Sequence, residues 1–347
     1  MLRATRQDVN RSRLHVVHAR PPTRFAVVLH TVRTASPQDA AAFIRRGQIV
    51  AFPTETVYGL GADAFNPDAV RAIFAAKGRP QDNPLIVHVA DPEQIEEVAQ
   101  AIPPAARTLL EVFIPGPLTL ILPKHRNVPD VVTAGLDTVG VRMPKHPVAR
   151  AFLEACGTPV AAPSANRSGR PSPTTWKAVA DDLDGRISCI LTGDRTEAGV
   201  ESTVVDCTQS PPAVLRPGAV PVEALQAALP GVGVVPPSDE TAARSPGTRH
   251  RHYAPAARVC LVDHPDDVPS ATDVAHDAAY IGLEAPMAPD RLARVHVAAD
   301  AEAYAHALFH FFRESDAAGC ETIYAQTVPD AGWGRALNDR LRRAAAR

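Results

Sequence analysis

The chain has 347 residues, enough for two domains and a sizeable core. Its formal net charge of −2 gives no bulk electrostatic reason to bind nucleic acid or an anionic membrane, and no apolar run approaches the roughly 20 residues of a transmembrane helix. The five cysteines (Cys156, Cys189, Cys207, Cys260 and Cys320) never occur at CxxC spacing, so neither a zinc site nor a disulfide framework is signalled, and a cytoplasmic location is expected.

Residues 1–30 carry six Arg and a single acidic residue, Asp8. Without a long apolar core this is no secretory signal; it reads as a disordered basic arm or an over-extended start, with an organelle transit peptide as the alternative. Ser36-Pro37 opens a helix through Arg46, closed by Gly47. The apolar run Ile49 to Phe52 is a buried strand, ended by Pro53 because proline cannot donate to a ladder. Thr54, Glu55 and Thr56 follow. Asn66 then caps a helix with Pro67 in its first turn and Asp68 against its positive end. Val70, Ile73 and Phe74 form its apolar stripe, and Gly78 ends it. Asn83-Pro84 leads into a second run, Leu85 to Val89, interrupted by His88. Strand, polar turn, helix, cationic turn and strand make a βαβ-like unit, and folds of this kind gather ligands at strand ends.

Asp91-Pro92 starts a helix with Ile95, Val98, Ala99 and Ile102 on one face, and Ala106 to Phe113 is another. Leu118 to Leu122 and Val139 to Arg142 are short strands. His146-Pro147 opens a helix closed by Gly157. Val160 to Ala162 is a strand ending in Pro163-Ser164-Ala165-Asn166, and Ser172-Pro173 opens a helix through Leu183. Ile187 to Leu191, Thr203 to Asp206 and Val214-Leu215 are strands. The whole reads as a twisted open α/β-layer domain over residues 31–229. From 230 to 255 periodicity dissolves into Pro, Gly, Ser and Thr, the mark of a linker, which ends in Arg249-His250-Arg251-His252-Tyr253. In residues 256–347, strands at Val259–Val262, Ala279–Leu283, Arg294–Val297 and Ile323–Ala325 alternate with helices, one striped by Tyr304, Leu308, Phe311 and Phe312. This predicts a small Rossmann-like α/β domain.

Several residues could carry chemistry. Lys77-Gly78-Arg79 sets two cations around a glycine, either as a phosphate clamp or as an ordinary helix end. Ser172 is either a plain N-cap or part of an anion site at a helix N-terminus. Arg142 ends an apolar strand and needs an anionic partner, internal or a bound carboxylate. His88 in a strand reads more readily as a hydrogen-bonded core histidine than as a catalyst. Glu201-Ser202-Thr203 and Arg216-Pro217-Gly218 are either turn chemistry or, at Arg216, a phosphate contact. There is no GxxxxGK[ST] loop, and Gly59-Leu60-Gly61 lacks the remainder of a dinucleotide fingerprint.

Taken together, Phe52 to Leu60 (FPTETVYGL), Lys77-x-Arg79 with Asn83-Pro84-Leu85, Pro115 to Thr119 (PGPLT), Ser164-Ala165-Asn166, Arg170 to Thr174 (RPSPT), Glu201-Ser202-Thr203 and Leu215 to Gly218 (LRPG) resemble the YrdC-domain family of threonylcarbamoyl-AMP synthases. The resemblance runs from about residue 35 to 225. Ser245-Pro246-Gly247 and His252 to Pro255 (HYAP), with the domain that follows, resemble the long two-domain form. It implies an enzyme that joins L-threonine, bicarbonate and ATP, brought with Mg2+, into threonylcarbamoyl-AMP and pyrophosphate, with no tightly bound organic cofactor and no metal site of its own. A separate tRNA threonylcarbamoyl transferase complex would take the product to tRNA. It further implies that Thr56, His88, Arg142, Ala162 and Ser202 surround threonine. Arg79, Asn83, Thr138, Ser164, Asn166, Ser172 and Arg216 would hold the nucleotide, with Lys77 near the phosphates and Tyr253 reaching back from a lid. Lys77 and Arg79 would carry the catalysis. The related carbamoyl-transfer step of hydrogenase maturation would need CxxC pairs, which are lacking. The rival from another class is a double-stranded RNA or tRNA-binding module without turnover; weak RNA binding could accompany either reading.

Overall fold

The computed structural model describes residues 30–234, 253–269 and 277–346. The expected basic arm and most of the linker, with Arg249 to His252, lie outside the described residues. The first eleven strands are β1 (Val32–Thr34), β2 (Val50–Phe52), β3 (Gly59–Asp63), β4 (Ile86–His88), β5 (Leu118–Pro123), β6 (Thr138–Arg142), β7 (Val160–Ala162), β8 (Cys189–Leu191), β9 (Thr203–Asp206), β10 (Ala213–Arg216) and β11 (Gly233–Val234). They form one mixed sheet in the order β1-β8-β2-β3-β7-β4-β6-β5-β9-β10-β11. Helices cover it, and a continuous apolar core that includes Leu60, Ile73, Val87, Leu120 and Val141 lies between the layers.

Local chemistry accounts for the elements that flank the cleft. The helix Pro67–Lys77 starts where the Asn66 side chain accepts from the amides of Asp68 and Ala69, both at 3.1 Å. It stops at Gly78, whose φ of 62° is a left-handed conformation that glycine adopts without strain. The Ser36 hydroxyl caps Pro37–Arg45 in the same way, and His146 caps Pro147–Cys156.

Three expectations change. The residues read as a polar turn after β2 include a strand, β3, which pairs antiparallel with β2. Its glycines hid it, because glycine has poor strand propensity; a Cβ at Gly61 would meet Val160 Cγ1 at 2.6 Å. The parallel crossover therefore runs from β3 through the helix Pro67–Lys77 to β4, with β7 antiparallel between the two strands. Second, the helix expected at Ser172 begins at Trp176, capped by the Thr175 side chain on the Ala178 amide. Third, the segment after Asp91 forms only Glu93–Val98, because Ala99 bridges to Lys124 and the chain turns extended. The large sheet also continues past residue 229, since β11 pairs parallel with β10.

The second unit is a four-stranded sheet of β12 (Arg258–Val262), β13 (Ala278–Gly282), β14 (Arg294–Val297) and β15 (Thr322–Gln326), in the order β12-β15-β13-β14 and parallel throughout. The helices Ala301–Ala317 and Trp333–Ala345 pack with it. Its core, built on Tyr304, Leu308, Phe309, Phe312, Leu337 and Leu341, also takes in Val57 and Val200 from the first unit and Tyr253 from the segment that joins them.

Candidate active site

A cleft opens across the short strands β4 and β7 and the end of β6, beside the loops after β2 and β7. Register explains the meeting of its side chains. β4 lies between β6 and β7, so His88 pairs with Arg142 and Ile86 with Ala162. The loop after β2 is stitched to the loop after β7: Gly59 bridges to Ser164, the Leu60 amide donates to Pro163 O and the Ala165 amide to Tyr58 O.

Two groups of side chains furnish this cleft. The first centres on Arg142, which is buried. Its Nη1 donates to Thr56 Oγ1 at 2.8 Å, and its Nη2 lies 2.8 Å from Glu55 Oε1. The latter is an ion pair by distance but lacks hydrogen-bond alignment. Thr56 Oγ1 in turn lies 2.8 Å from Thr54 Oγ1, which donates to Val57 O at 2.6 Å. Glu55 is the internal anion that a buried arginine requires. His88 stands beside this group with its ring edge-on to Phe52 at 5.8 Å. Burial, helped by the charge of Arg142, pushes the imidazole down to about 3, so His88 is neutral at physiological pH.

The second group centres on Glu201, Ser202, Arg216 and Tyr253. Arg216 Nη2 donates to Ser202 O at 2.9 Å and to Ser202 Oγ at 3.2 Å, and Ser202 Oγ lies 2.8 Å from Thr119 Oγ1. Gly218 allows this approach, because a Cβ there would come within 2.4 Å of the Glu201 carbonyl oxygen. Glu201 Oε1 accepts from the Ser172 hydroxyl at 2.6 Å, and Oε2 from Arg340 Nε at 2.8 Å. Tyr253 holds a φ of 68°, unusual for a residue with a side chain. Its ring packs on Phe309 at 5.2 Å, and the Arg340 guanidinium lies 5.4 Å from its centre. Arg79 also lines the cleft, donating weakly to the carbonyls of Asn83 and Pro84, and burial lowers it to about 10. Burial likewise lowers Arg216. The cleft thus offers several cations, one aromatic face and neutral hydroxyls, a lining suited to an anionic ligand that carries a planar group.

The family model described as "Telomere recombination" (Sua5, YciO and YrdC) matches residues 42–218, and the model described as "Threonylcarbamoyl-AMP synthase, C-terminal domain" matches 220–346. The threonylcarbamoyl-AMP synthase of Pyrococcus abyssi is 45% identical over 88% of this chain and 92% of its own length. The chain belongs to the threonylcarbamoyl-AMP synthase family. Its Bacillus subtilis relative of that name is 42% identical over 92% of this chain and 96% of its own. A solved structure, P. abyssi Sua5 complexed with L-threonine, superimposes with a TM-score of 0.82 at 44% identity, covering 91% of this chain and 97% of that one. The rival reading of an RNA-binding module without turnover finds no support among these relatives.

Of the residues expected in a synthase site, Thr56, Arg79, His88, Arg142, Ala162, Ser164, Ser202, Arg216 and Tyr253 do line the cleft. Others stand behind its wall. Lys77 is buried, and its Nζ donates to the carbonyl oxygens of Ser164, at 2.5 Å, and Asn166. It thus holds the loop after β7, and burial together with the Arg79 charge pushes its ammonium well below the usual lysine range. Asn166 braces the same loop, accepting from Ser164 Oγ at 2.5 Å and donating to the carbonyls of Arg167 and Arg170. Asn83 is fully buried. Ser172 caps no helix and instead holds Glu201. Thr138 opens the strand that Arg142 closes, so the two lie about 13 Å apart at four residues' rise. Sequence reading missed Glu55 as the partner of Arg142, although it stands next to Thr56. It also missed Arg340, for which the sequence carried no signal beyond a basic terminal helix.

Proposed function

We propose that this synthase joins L-threonine, bicarbonate and ATP into threonylcarbamoyl-AMP with release of pyrophosphate. The observation that carries the reading is a buried arginine framed by hydroxyls, Arg142 with Thr56, in the same cleft as the cations Arg79 and Arg216 and the aromatic face of Tyr253. The likeness to a threonine-bound relative supports it. Arg142 would take the threonine carboxylate, with Thr56, His88, Ala162 and Ser202 around the rest of the amino acid. Arg79, Ser164 and Arg216 would hold the nucleotide, and Tyr253 would cover it. Asn83, Asn166 and Ser172 would shape that wall from behind.

The threonine amine adds to bicarbonate with loss of water, and an oxygen of the resulting carbamate attacks the α-phosphorus while pyrophosphate leaves. Negative charge grows on phosphate oxygens, so preorganised cations do most of the work and no strong protein base is required. A neutral His88 can exchange hydrogen bonds but cannot serve as an acid at neutral pH. Mg2+ would neutralise phosphate charge when bound. Glu201 is the single carboxylate among the lining residues and both its oxygens are engaged, so the ion would arrive with the nucleotide rather than in a protein cage. A covered cleft protects the carbamate, which water would otherwise claim.

A tRNA threonylcarbamoyl transferase complex would consume the product. All five cysteines are unpaired, which fits a reducing cytoplasm, and no helix among the described residues is long and apolar enough to cross a membrane. Labelled bicarbonate tests the reading: its carbon should appear in an adenylate of threonine, detected by mass spectrometry, only when threonine and ATP are both present. An adenylate that lacks that carbon would refute it. Lys77→Ala should reduce product by about a hundredfold while the protein stays folded, through release of the Ser164–Asn166 loop that its Nζ holds.

A further inference from the structure

Arg340 is the largest side chain that is completely buried among the described residues, and it belongs to the small second unit. It lies on the last helix, Trp333–Ala345, which is rich in arginine. Its guanidinium makes four contacts, and three of them reach the cleft or the loops that shape it. Nε donates to Glu201 Oε2 at 2.8 Å, Nη1 donates to Pro217 O at 2.9 Å, and the guanidinium carbon sits 5.4 Å from the centre of the Tyr253 ring. The fourth contact, Nη1 to Asp339 Oδ2 at 2.7 Å, stays on its own helix and holds the guanidinium in place. Asp339 is itself gripped by Arg343 Nε at 3.0 Å from each of its oxygens.

We infer that Arg340 is a positioning residue for the cleft: from the second unit it orients Glu201, and through Glu201 Ser172, while fixing the ring of Tyr253, so that the nucleotide side of the site is complete only when the two units are docked. The inference rests on the proposed function for the identity of the ligand, but its geometry stands alone. Glu201 and Tyr253 line the cleft and Arg340 does not, so Arg340 acts through them. The arrangement also gives the second unit a task. Glu201 is a buried carboxylate whose only cationic hydrogen-bond donor among the described residues is Arg340. Removing Arg340 would take away its hydrogen-bonded cation and leave only the charge of Arg216 nearby, so the carboxylate would swing or recruit water. Tyr253 would lose the cation on one side of its ring while keeping Phe309.

The test is a double-mutant cycle on the full-length protein with Arg340→Met, Glu201→Gln and both together. Two readouts are taken, the affinity for Mg·ATP by calorimetry and the separate KM values for ATP and L-threonine in pyrophosphate release. Arg340→Met should weaken Mg·ATP binding and raise the KM for ATP by about tenfold, more than it raises the KM for threonine, and the double variant should be no worse than the poorer single one. Arg340→Lys, which keeps the charge but cannot reach Glu201 and Pro217 O together, should recover part of the loss. It also keeps the test open should Arg340→Met fail to fold. Arg335→Ala, on the same helix as Arg340, removes an exposed ion pair to Glu223 of the first unit and should leave both readouts unchanged. Additive losses in the cycle, or Mg·ATP affinity within twofold of wild type in a folded Arg340 variant, would overturn the inference. Wild-type protein that binds Mg·ATP but releases no threonine-dependent pyrophosphate would instead count against the proposed reaction, with the calorimetric cycle still deciding the role of Arg340.

Discussion

The two groups of side chains that furnish the cleft are held by different means. The Arg142 group is local to the large sheet: β4 and β6 bring His88 and Arg142 side by side, and the loop after β2 supplies Glu55 and Thr56. Its order follows from the folding of one unit. The Glu201 group is assembled across units. Ser172 and Glu201 come from the first, Arg340 and Phe309 from the second, and Tyr253 from the segment between. Its order depends on docking, and docking here is substantial. Asp182, buried in the first unit, accepts from Arg313 Nη2 at 2.8 Å and also from Arg170 and the Arg167 amide. Arg313 reaches Pro171 O as well, and His306 Nδ1 meets Glu197 O at 2.6 Å. The loop at Gly199 passes so close to the helix Ala301–Ala317 that a Cβ would meet His306 Cα at 2.5 Å. The contrast teaches that one half of this site is a property of a domain and the other of an interface.

Perturbations should separate the two. The largest effect belongs to Arg142→Met, which leaves Glu55 buried without its ion pair and removes the proposed carboxylate ligand. Threonine-dependent turnover should fall by about a hundredfold or more, with Mg·ATP affinity little changed. Comparable losses of both would mean that the groups are not separable.

Asp182→Ala comes next. It strips three hydrogen-bonding partners of their acceptor at the interface and should lower unfolding stability by about 3 kcal/mol, measured by denaturant titration. Burial alone would raise the carboxyl of Asp182, but the hydrogen bond and charge of Arg313, with Arg170, hold it below the usual carboxylate range. A carboxyl depressed in the folded state contributes stability that is present above its unfolded pKa and lost as pH falls through the acid range. Stability of the wild type should therefore decline on acidification more steeply than that of Asp182→Asn. Parallel curves would remove Asp182 as the cause.

A smaller, more local loss is expected of Gly199→Ala, where a φ of 72° and the backbone of His306 both oppose a side chain. A cost of about 1–3 kcal/mol should appear, along with weaker Mg·ATP binding, while the Arg142 group is left intact. The smallest is Arg335→Ala: an exposed pair at 3.4 Å should contribute less than about 0.5 kcal/mol.

How much of this the sequence disclosed follows the same division. Asn66, Pro67 and Gly78 announce the helix Pro67–Lys77 because capping is decided by neighbouring residues. An arginine at the end of an apolar strand announces that it needs an anion, and the anion proved to be Glu55. β3 was hidden because Gly59 and Gly61 are there to admit side chains from other strands, a requirement set by packing rather than by propensity. Ser172-Pro173 carried a helix-start pattern, but the Ser172 hydroxyl spends itself on Glu201, 29 residues away. Arg340 was the least legible: its partner Glu201 lies 139 residues earlier, and nothing in the pattern of a basic amphipathic helix marks which arginine turns inward. Helix caps set by neighbouring residues could be read from the chain, whereas β3, set by packing, and the inward turn of Arg340, set by docking, could not.

The measurement that bears most directly on the account is pyrophosphate release from Mg·ATP by the full-length protein, with L-threonine and bicarbonate each supplied or withheld. Release that requires both, and that Arg142→Met suppresses, is the predicted result. Release that is indifferent to threonine, or equal in wild type and Arg142→Met, would contradict the assignment of the cleft.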